Sequence, residues 1–180
     1  MTGGVWLITG AQASGKSTTA DLLARSFDHG VHVPGGEFYR WAVTGWAHHP
    51  DRQDPVESRR LLDLRYRLSS TVADEYAAAG FTTVVQDNIY GDDVTAWLGR
   101  ITARPRHLVV LRPSTDVVHE RHERRRTETG KVACTVAYDI DENDEHVATT
   151  PPRGLWLDTS SLTPAEVVAE IRRRAADAET

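Results

Sequence analysis

The sequence predicts an α/β domain, a parallel sheet with helices on both faces, and three observations carry that prediction. An apolar run, Val5-Trp6-Leu7-Ile8, leads into a glycine loop, Gly10-Ala11-Gln12-Ala13-Ser14-Gly15-Lys16-Ser17, and then into helical spacing. Further short β-branched runs alternate with helical stretches along the chain, the mark of strand–helix–strand units. No internal repeat or low-complexity linker divides the 180 residues, so one domain spanning 1–180 is expected.

Taken in order, Val5 to Thr9 reads as the first strand, and Gly15 to about Phe27 as the helix behind the loop. Val31-His32-Val33, ended by Pro34-Gly35-Gly36, is a second strand and turn. Glu37 to about Trp46 reads as a short helix broken at Gly45, and the polar stretch His48 to Pro55 as a loop. From Val56, apolar residues recur at Leu61, Leu62, Leu64, Leu68, Val72 and Tyr76 with helical spacing, ending at Gly80. Phe81 to Asp87 is a third strand, Val94 to Thr102 a helix, and His107 to Leu111 a fourth strand cut by Arg112-Pro113. Ser114-Thr115-Asp116 caps a helix running to about Thr127. Leu155 to Asp158 is a short last strand. Thr163-Pro164-Ala165-Glu166 then carries a capping box with proline at the first helical position, opening a helix to about Arg174.

Composition sets outer limits. A formal charge of −5 and a pI near 5.9 argue against a general nucleic-acid binder, which presents a basic face. The single cysteine, Cys134, suits a reducing cytoplasm. No apolar run approaches the ~20 residues that span a bilayer, and no charged-then-apolar leader precedes the first strand. The expectation is a cytoplasmic protein without nucleic-acid or membrane partners.

Gly10 to Ser17 fits the phosphate-loop pattern Gly-x-x-x-x-Gly-Lys-[Ser/Thr]. The chemistry needs these residue types at this spacing. Backbone N–H groups of Gly10, Ala11, Ala13, Ser14 and Gly15 can wrap a phosphate, with Thr18 in the first helical turn. The helix N-terminus adds partial positive charge, and Lys16 adds a full one. The Ser17 hydroxyl can ligate a magnesium ion (Mg2+) bridging the terminal phosphates of ATP or GTP. Ligands of parallel sheets sit beyond the carboxyl ends of the strands, so the residues after each strand complete the site. Asp87 ends an apolar strand, as a magnesium-organising acid should. Glu37 lies where an acceptor would enter and can take its proton, a role worth roughly 10²–10⁴ in rate.

Around these, Arg121 and Arg125 share a helix face at i, i+4, although Glu120 and Glu123 interleave as on a solvated face. Residues 114–137 form the candidate lid, with Thr127-Glu128-Thr129-Gly130-Lys131 as a flap. Tyr39, Trp41, Trp46 and Tyr90 can stack on an acceptor ring, with Arg40 and Asn88 as polar contacts, although aromatics at helical spacing are more often core. His48-His49 and Cys134 lack the spaced partners that metal or nucleophilic chemistry requires.

These residues resemble small P-loop kinases of the chloramphenicol phosphotransferase type. The likeness rests on Gly10 to Thr18, the turn after the second strand, Val84-Val85-Gln86-Asp87-Asn88-Ile89-Tyr90-Gly91, the Leu111-Arg112-Pro113 exit with its arginine helix, and Leu157-Asp158-Thr159-Ser160. It implies a P-loop NTPase fold with a five-stranded parallel sheet, magnesium, and γ-phosphate transfer to a hydroxyl of a small molecule, often an antibiotic. Relatives place an aspartate directly after the glycine ending the second strand. This chain has Gly35-Gly36-Glu37, with Gly36 in that place. Either Glu37 reaches the acceptor with its longer side chain, or Asp87 takes the role, or the base is weakened or absent.

The expected partners are a nucleoside triphosphate and a small-molecule acceptor, with a homodimer as an open alternative. A metabolic kinase acting on a nucleoside, nucleotide or sugar acid competes with the antibiotic reading, because Arg40, Arg52, Arg59 and Arg60 could bind an anionic acceptor. A nucleotide-dependent switch is disfavoured: neither Asn88 nor Asn143 is followed by lysine, so no guanine-reading Asn-Lys-x-Asp exists.

Overall fold

The computed structural model describes residues 3–45, 54–129 and 140–180. Its elements run β1 (Val5–Gly10), α1 (Lys16–Arg25), β2 (Gly30–Pro34), α2 (Glu37–Arg40), α3 (Pro55–Ala78), β3 (Thr82–Gln86) and α4 (Asp92–Arg100). They continue with β4 (Arg106–Leu111), α5 (Thr115–Thr129), α6 (Ile140–Ala148), β5 (Leu155–Leu157), α7 (Pro164–Arg173) and α8 (Ala175–Ala178). The five strands form one sheet in the order β2-β3-β1-β4-β5, with every pairing parallel.

All six residues of β1 are buried, because neighbouring strands flank it and helices cover both faces. The pleat sends alternate residues to opposite sides. Val5 and Leu7 join Val85, Val110, Leu62, Trp97 and Leu98 on the α3–α4 side. Trp6 and Ile8 join Val84, Val109, Leu23, Val167 and Ile171 on the α1–α7 side. Trp97 is fully buried, and its indole N–H donates to Ser69 Oγ at 2.9 Å, so the largest core side chain keeps its polar atom satisfied.

Helix ends follow local chemistry. The Asp54 carboxylate accepts from Glu57 N at 2.9 Å and Pro55 opens α3, which therefore starts one residue before Val56. In α7, Thr163 and Glu166 form the full capping box. The buried face of α3 differs from its apolar pattern. Leu68 and Tyr76 are exposed, while Tyr66, Ser69, Ser70, Ala73 and Ala77 are buried. Small residues there let the helix lie close against the sheet and Trp97.

Helix α2 is also shorter than its pattern suggests, ending at Arg40 rather than near Trp46. No apolar pattern in the sequence marks α6, whose buried face carries only Asn143 and Val147. With a single buried apolar side chain, that helix leaves no hydrophobic period to read. Trp46, His48, His49, Arg52, Gly130, Lys131 and Cys134 fall outside the described residues, as do the side chains of Arg125 and Arg126.

Candidate active site

The glycine loop joins β1 to α1 at the carboxyl end of the sheet. Gly10, Ala13 and Gly15 take φ of 139°, 58° and 96°, which turns the loop back on itself ahead of the helix. Only glycine adopts Gly15's conformation without strain. Lys16 is buried, and its ammonium donates to the carbonyls of Gly10 at 2.7 Å and Ala11 at 2.6 Å. The cation thus lies folded along the loop whose N–H groups begin the helix, an arrangement that fits an anion.

Three contacts from distant parts of the chain hold the loop. Asn143 Oδ1 on α6 accepts from Gln12 N at 3.0 Å, while the Tyr90 hydroxyl donates to Gly10 O at 3.0 Å. Arg121 on α5 donates to Thr159 O at 2.8 Å and reaches Ser14 O at 3.5 Å. Burial holds the Arg121 guanidinium below the usual arginine range. Arg112 secures α6 through a two-pronged pair with Asp144 at 2.9 and 2.8 Å, and the same guanidinium lowers the Asp144 pKa.

The acid expected to organise the metal is placed differently. Ser17 donates to Gln86 Oε1 at 3.1 Å, whereas the Asp87 carboxylate pairs with Arg65 and also accepts from Asn88 N at 2.7 Å. The pleat explains the exchange. Gln86 lies in register with Ile8 on the α1 face, so the next residue faces α3, which carries Arg65. Gly35 makes room: a Cβ there would sit 2.1 Å from Asp87 Oδ2. Arg65 Nε donates to that same oxygen at 2.9 Å, and burial lowers the guanidinium's pKa. The donor set at Ser17 fits a magnesium ion through the Ser17 hydroxyl and the Gln86 amide oxygen, with the Asp87 carboxylate engaged by Arg65.

On the acceptor side, Glu37 pairs with Arg40 at 2.5 Å across one turn of α2. The Arg65 guanidinium lies over the Tyr39 ring, 4.8 Å from its centroid. Trp41 packs edge-on against Phe38 at 5.0 Å and is 70 % exposed. Asn88 contributes backbone, its carbonyl accepting from Tyr66 at 2.9 Å. The Tyr90 hydroxyl turns to the phosphate loop. The structure therefore brings Lys16, Ser17, Tyr90 and Arg121 to the loop, and Glu37, Tyr39, Arg40 and Trp41 to the β2–α2 turn.

Sequence patterns assign no functional role to Arg65, Gln86 or Asn143. Alternation along β3 could have identified Gln86, since adjacent strand residues cannot face the same helix. Arg65 and Asn143 carried no local signal. No helix of the described residues is long and apolar enough to cross a membrane.

Comparison with known proteins agrees with this architecture. No curated protein matches the sequence. The fold aligns with the Mycobacterium tuberculosis APS kinase in complex with AMPPNP and APS, at TM-score 0.68 and 19% identity over 97% of this chain and 98% of that one. It aligns with a sugar kinase from Janibacter sp. HTCC2649 at TM-score 0.66 and 16% identity, covering 98% and 96%. A gluconokinase from Sinorhizobium meliloti 1021 aligns at TM-score 0.58 and 17% identity, covering 96% and 94%. At these identities the likeness is one of fold, that of small P-loop kinases. The model of the AAA_33 family, described as an AAA domain, matches residues 5–142, and the chain belongs to that family.

Proposed function

We propose that this protein is an ATP- or GTP-dependent phosphotransferase that moves the γ-phosphate to a hydroxyl of a small molecule. The observation that carries the reading is the meeting of Lys16 and Arg121 on one glycine loop, at the end of the parallel sheet where β2 also ends and Glu37 follows. Phosphoryl transfer asks a protein mainly to position the reactants and stabilise charge, and these groups do both. Lys16, released from the Gly10 and Ala11 carbonyls, places its ammonium against the terminal phosphates. Arg121 neutralises charge from the α5 side. Glu37 accepts the acceptor's proton as its oxygen bonds to the γ-phosphorus and the bond to the nucleoside diphosphate breaks. Magnesium, held by Ser17 and Gln86, would screen the phosphate oxygens. The Arg65–Asp87 pair fixes the wall between β2 and β3 that the acceptor meets.

Resemblance to the chloramphenicol phosphotransferase type supports an antibiotic as acceptor, and self-resistance as the role. The sugar kinase and gluconokinase neighbours favour a metabolic kinase equally. Incubation with magnesium and ATP or GTP against antibiotics, nucleosides and sugar acids, followed by mass detection, separates these readings. One added phosphate on an acceptor is the expected result. Nucleotide turnover without any phosphorylated acceptor across a broad panel would overturn it in favour of a switch.

A further inference from the structure

Two donors converge on one carbonyl of the phosphate loop. Gly10 O accepts from the Lys16 ammonium at 2.7 Å and from the Tyr90 hydroxyl at 3.0 Å. The neighbouring Ala11 O is doubly supplied as well, by Lys16 at 2.6 Å and by the Ser14 N–H at 3.2 Å. A carbonyl oxygen has two lone pairs and can take two donors at once. Each oxygen that holds the lysine therefore has a second donor already in place.

The second donor on Gly10 comes from a segment that is pinned on both sides of Tyr90. Asn88 N donates to the Asp87 carboxylate at 2.7 Å, and Asn88 O accepts from the Tyr66 hydroxyl at 2.9 Å. The fully buried Thr9 hydroxyl donates to Ile89 O at 2.7 Å and accepts from Ile89 N at 3.2 Å. Gly91 N donates to Thr150 Oγ1 at 3.0 Å. Ile89 and Tyr90 thus bond to Thr9 and Gly10, two consecutive residues to two consecutive residues. The β1–β3 pairing, whose last register pair is Ile8 with Gln86, continues through these side chains to the loop. Tyr90 reaches Gly10 from a fixed base.

The Lys16 ammonium has three N–H donors, and the loop engages at least two of them. The phosphates of a bound nucleotide draw on the same group, so its hold on both carbonyls weakens as it turns toward them. A buried carbonyl left without a donor is unfavourable by more than the net value of one hydrogen bond. Ser14 N keeps Ala11 O satisfied through that movement. We propose that Tyr90 is a positioning residue of the phosphate loop: its hydroxyl keeps Gly10 O satisfied and fixed in place while Lys16 moves to the nucleotide. The proposal rests on the phosphotransfer reading for one thing only, that the loop's ligand is a nucleoside triphosphate.

Two measurements test it. Tyr90→Phe keeps the ring and removes one donor. In the empty protein Lys16 still supplies Gly10 O, so the thermal midpoint should change by less than about 2 °C. AMPPNP with magnesium, titrated calorimetrically, should bind the variant at least about fivefold more weakly than the parent chain. A merely structural role would do the reverse, lowering the midpoint and leaving affinity unchanged, and that result overturns the proposal. The second measurement needs no nucleotide. In a Lys16→Met background Tyr90 is the one of the two donors left on Gly10 O. Adding Tyr90→Phe there should lower the midpoint of the empty protein at least about 3 °C more than it does in the parent chain. Equal shifts in the two backgrounds overturn the proposal. A parent chain that binds no AMPPNP overturns the phosphate-loop reading and the proposal with it, whereas equal binding by parent and Tyr90→Phe overturns the proposal alone.

Discussion

The proposed donor and acceptor halves lie at the same end of one sheet and are built in opposite ways. The phosphate loop takes its shape from eight consecutive residues, Gly10 to Ser17, whose glycines set the backbone and whose lysine and serine supply the chemistry. The acceptor side draws on α2, on α3 and on the end of β3, with Gly35, Arg65 and Asp87 meeting across the fold. A loop of contiguous residues can be read from a pattern, because its geometry is a property of the backbone. A surface assembled by packing cannot, because each member takes its role from a distant partner.

That contrast can be broken experimentally, and the largest effect is expected on the donor side. Lys16→Ala should lower kcat by at least about 10³-fold while leaving the thermal midpoint within a few degrees, since the lysine's partners are the loop's own carbonyls. An active Lys16→Ala enzyme would refute the phosphate-loop role. On the acceptor side the leading effect should be on stability. Arg65→Met leaves Asp87 buried without its cation and should cost about 3–5 kcal/mol in urea unfolding. Arg65→Met combined with Asp87→Leu should recover much of that loss. A fully stable single variant would show that the pair does not hold β3 to α3.

Glu37→Gln sharpens the assignment of the base. A fall in kcat of about 10²-fold, with AMPPNP affinity unchanged, is expected. Full turnover by this variant would remove Glu37 from the mechanism. A smaller change should follow Asn143→Ala, which strips the acceptor from Gln12 N. Loss of one such bond is worth about 1 kcal/mol, so nucleotide affinity should weaken about fivefold. Unaltered affinity would mean that α6 does not brace the loop.

The smallest effect belongs to neither half. His107 stacks on Trp6 at 3.8 Å, and burial pushes its pKa down, with the Glu179 carboxylate pulling the other way. The unfolded chain therefore binds that proton first, near the ordinary pKa of about 6.5. The stability His107 contributes is complete above that pH and is lost as the pH falls from there toward the folded-state value. His107→Phe keeps a ring against Trp6, so its unfolding midpoint should change less between pH 7.5 and 5.5 than that of the parent chain. Equal slopes would assign the acid sensitivity to other groups, among them His32, which burial shifts in the same direction.

The order of strands and helices was legible because apolar runs and caps are local: the box at Thr163–Glu166 and the strand at Val5 appear where their patterns put them. The apolar spacing of α3 was present, yet it named Leu68 and Tyr76, which the fold leaves exposed. Helix α6 had almost no apolar period, and only its docking on Gln12 and Arg112 reveals its place. By type and by its position directly after β3, Asp87 reads as a metal-organising acid. Its partner was settled by the pleat, which turned it toward Arg65 and gave Ser17 to Gln86.

The sequence by itself determined the parallel α/β architecture and the phosphate-binding loop, since both follow from periodicity and from backbone freedom at glycine. Tertiary structure alone decided which side chains meet that loop and which acid is neutralised in the core. Those outcomes depend on register and helix rotation, and a shift of one residue would exchange every partner.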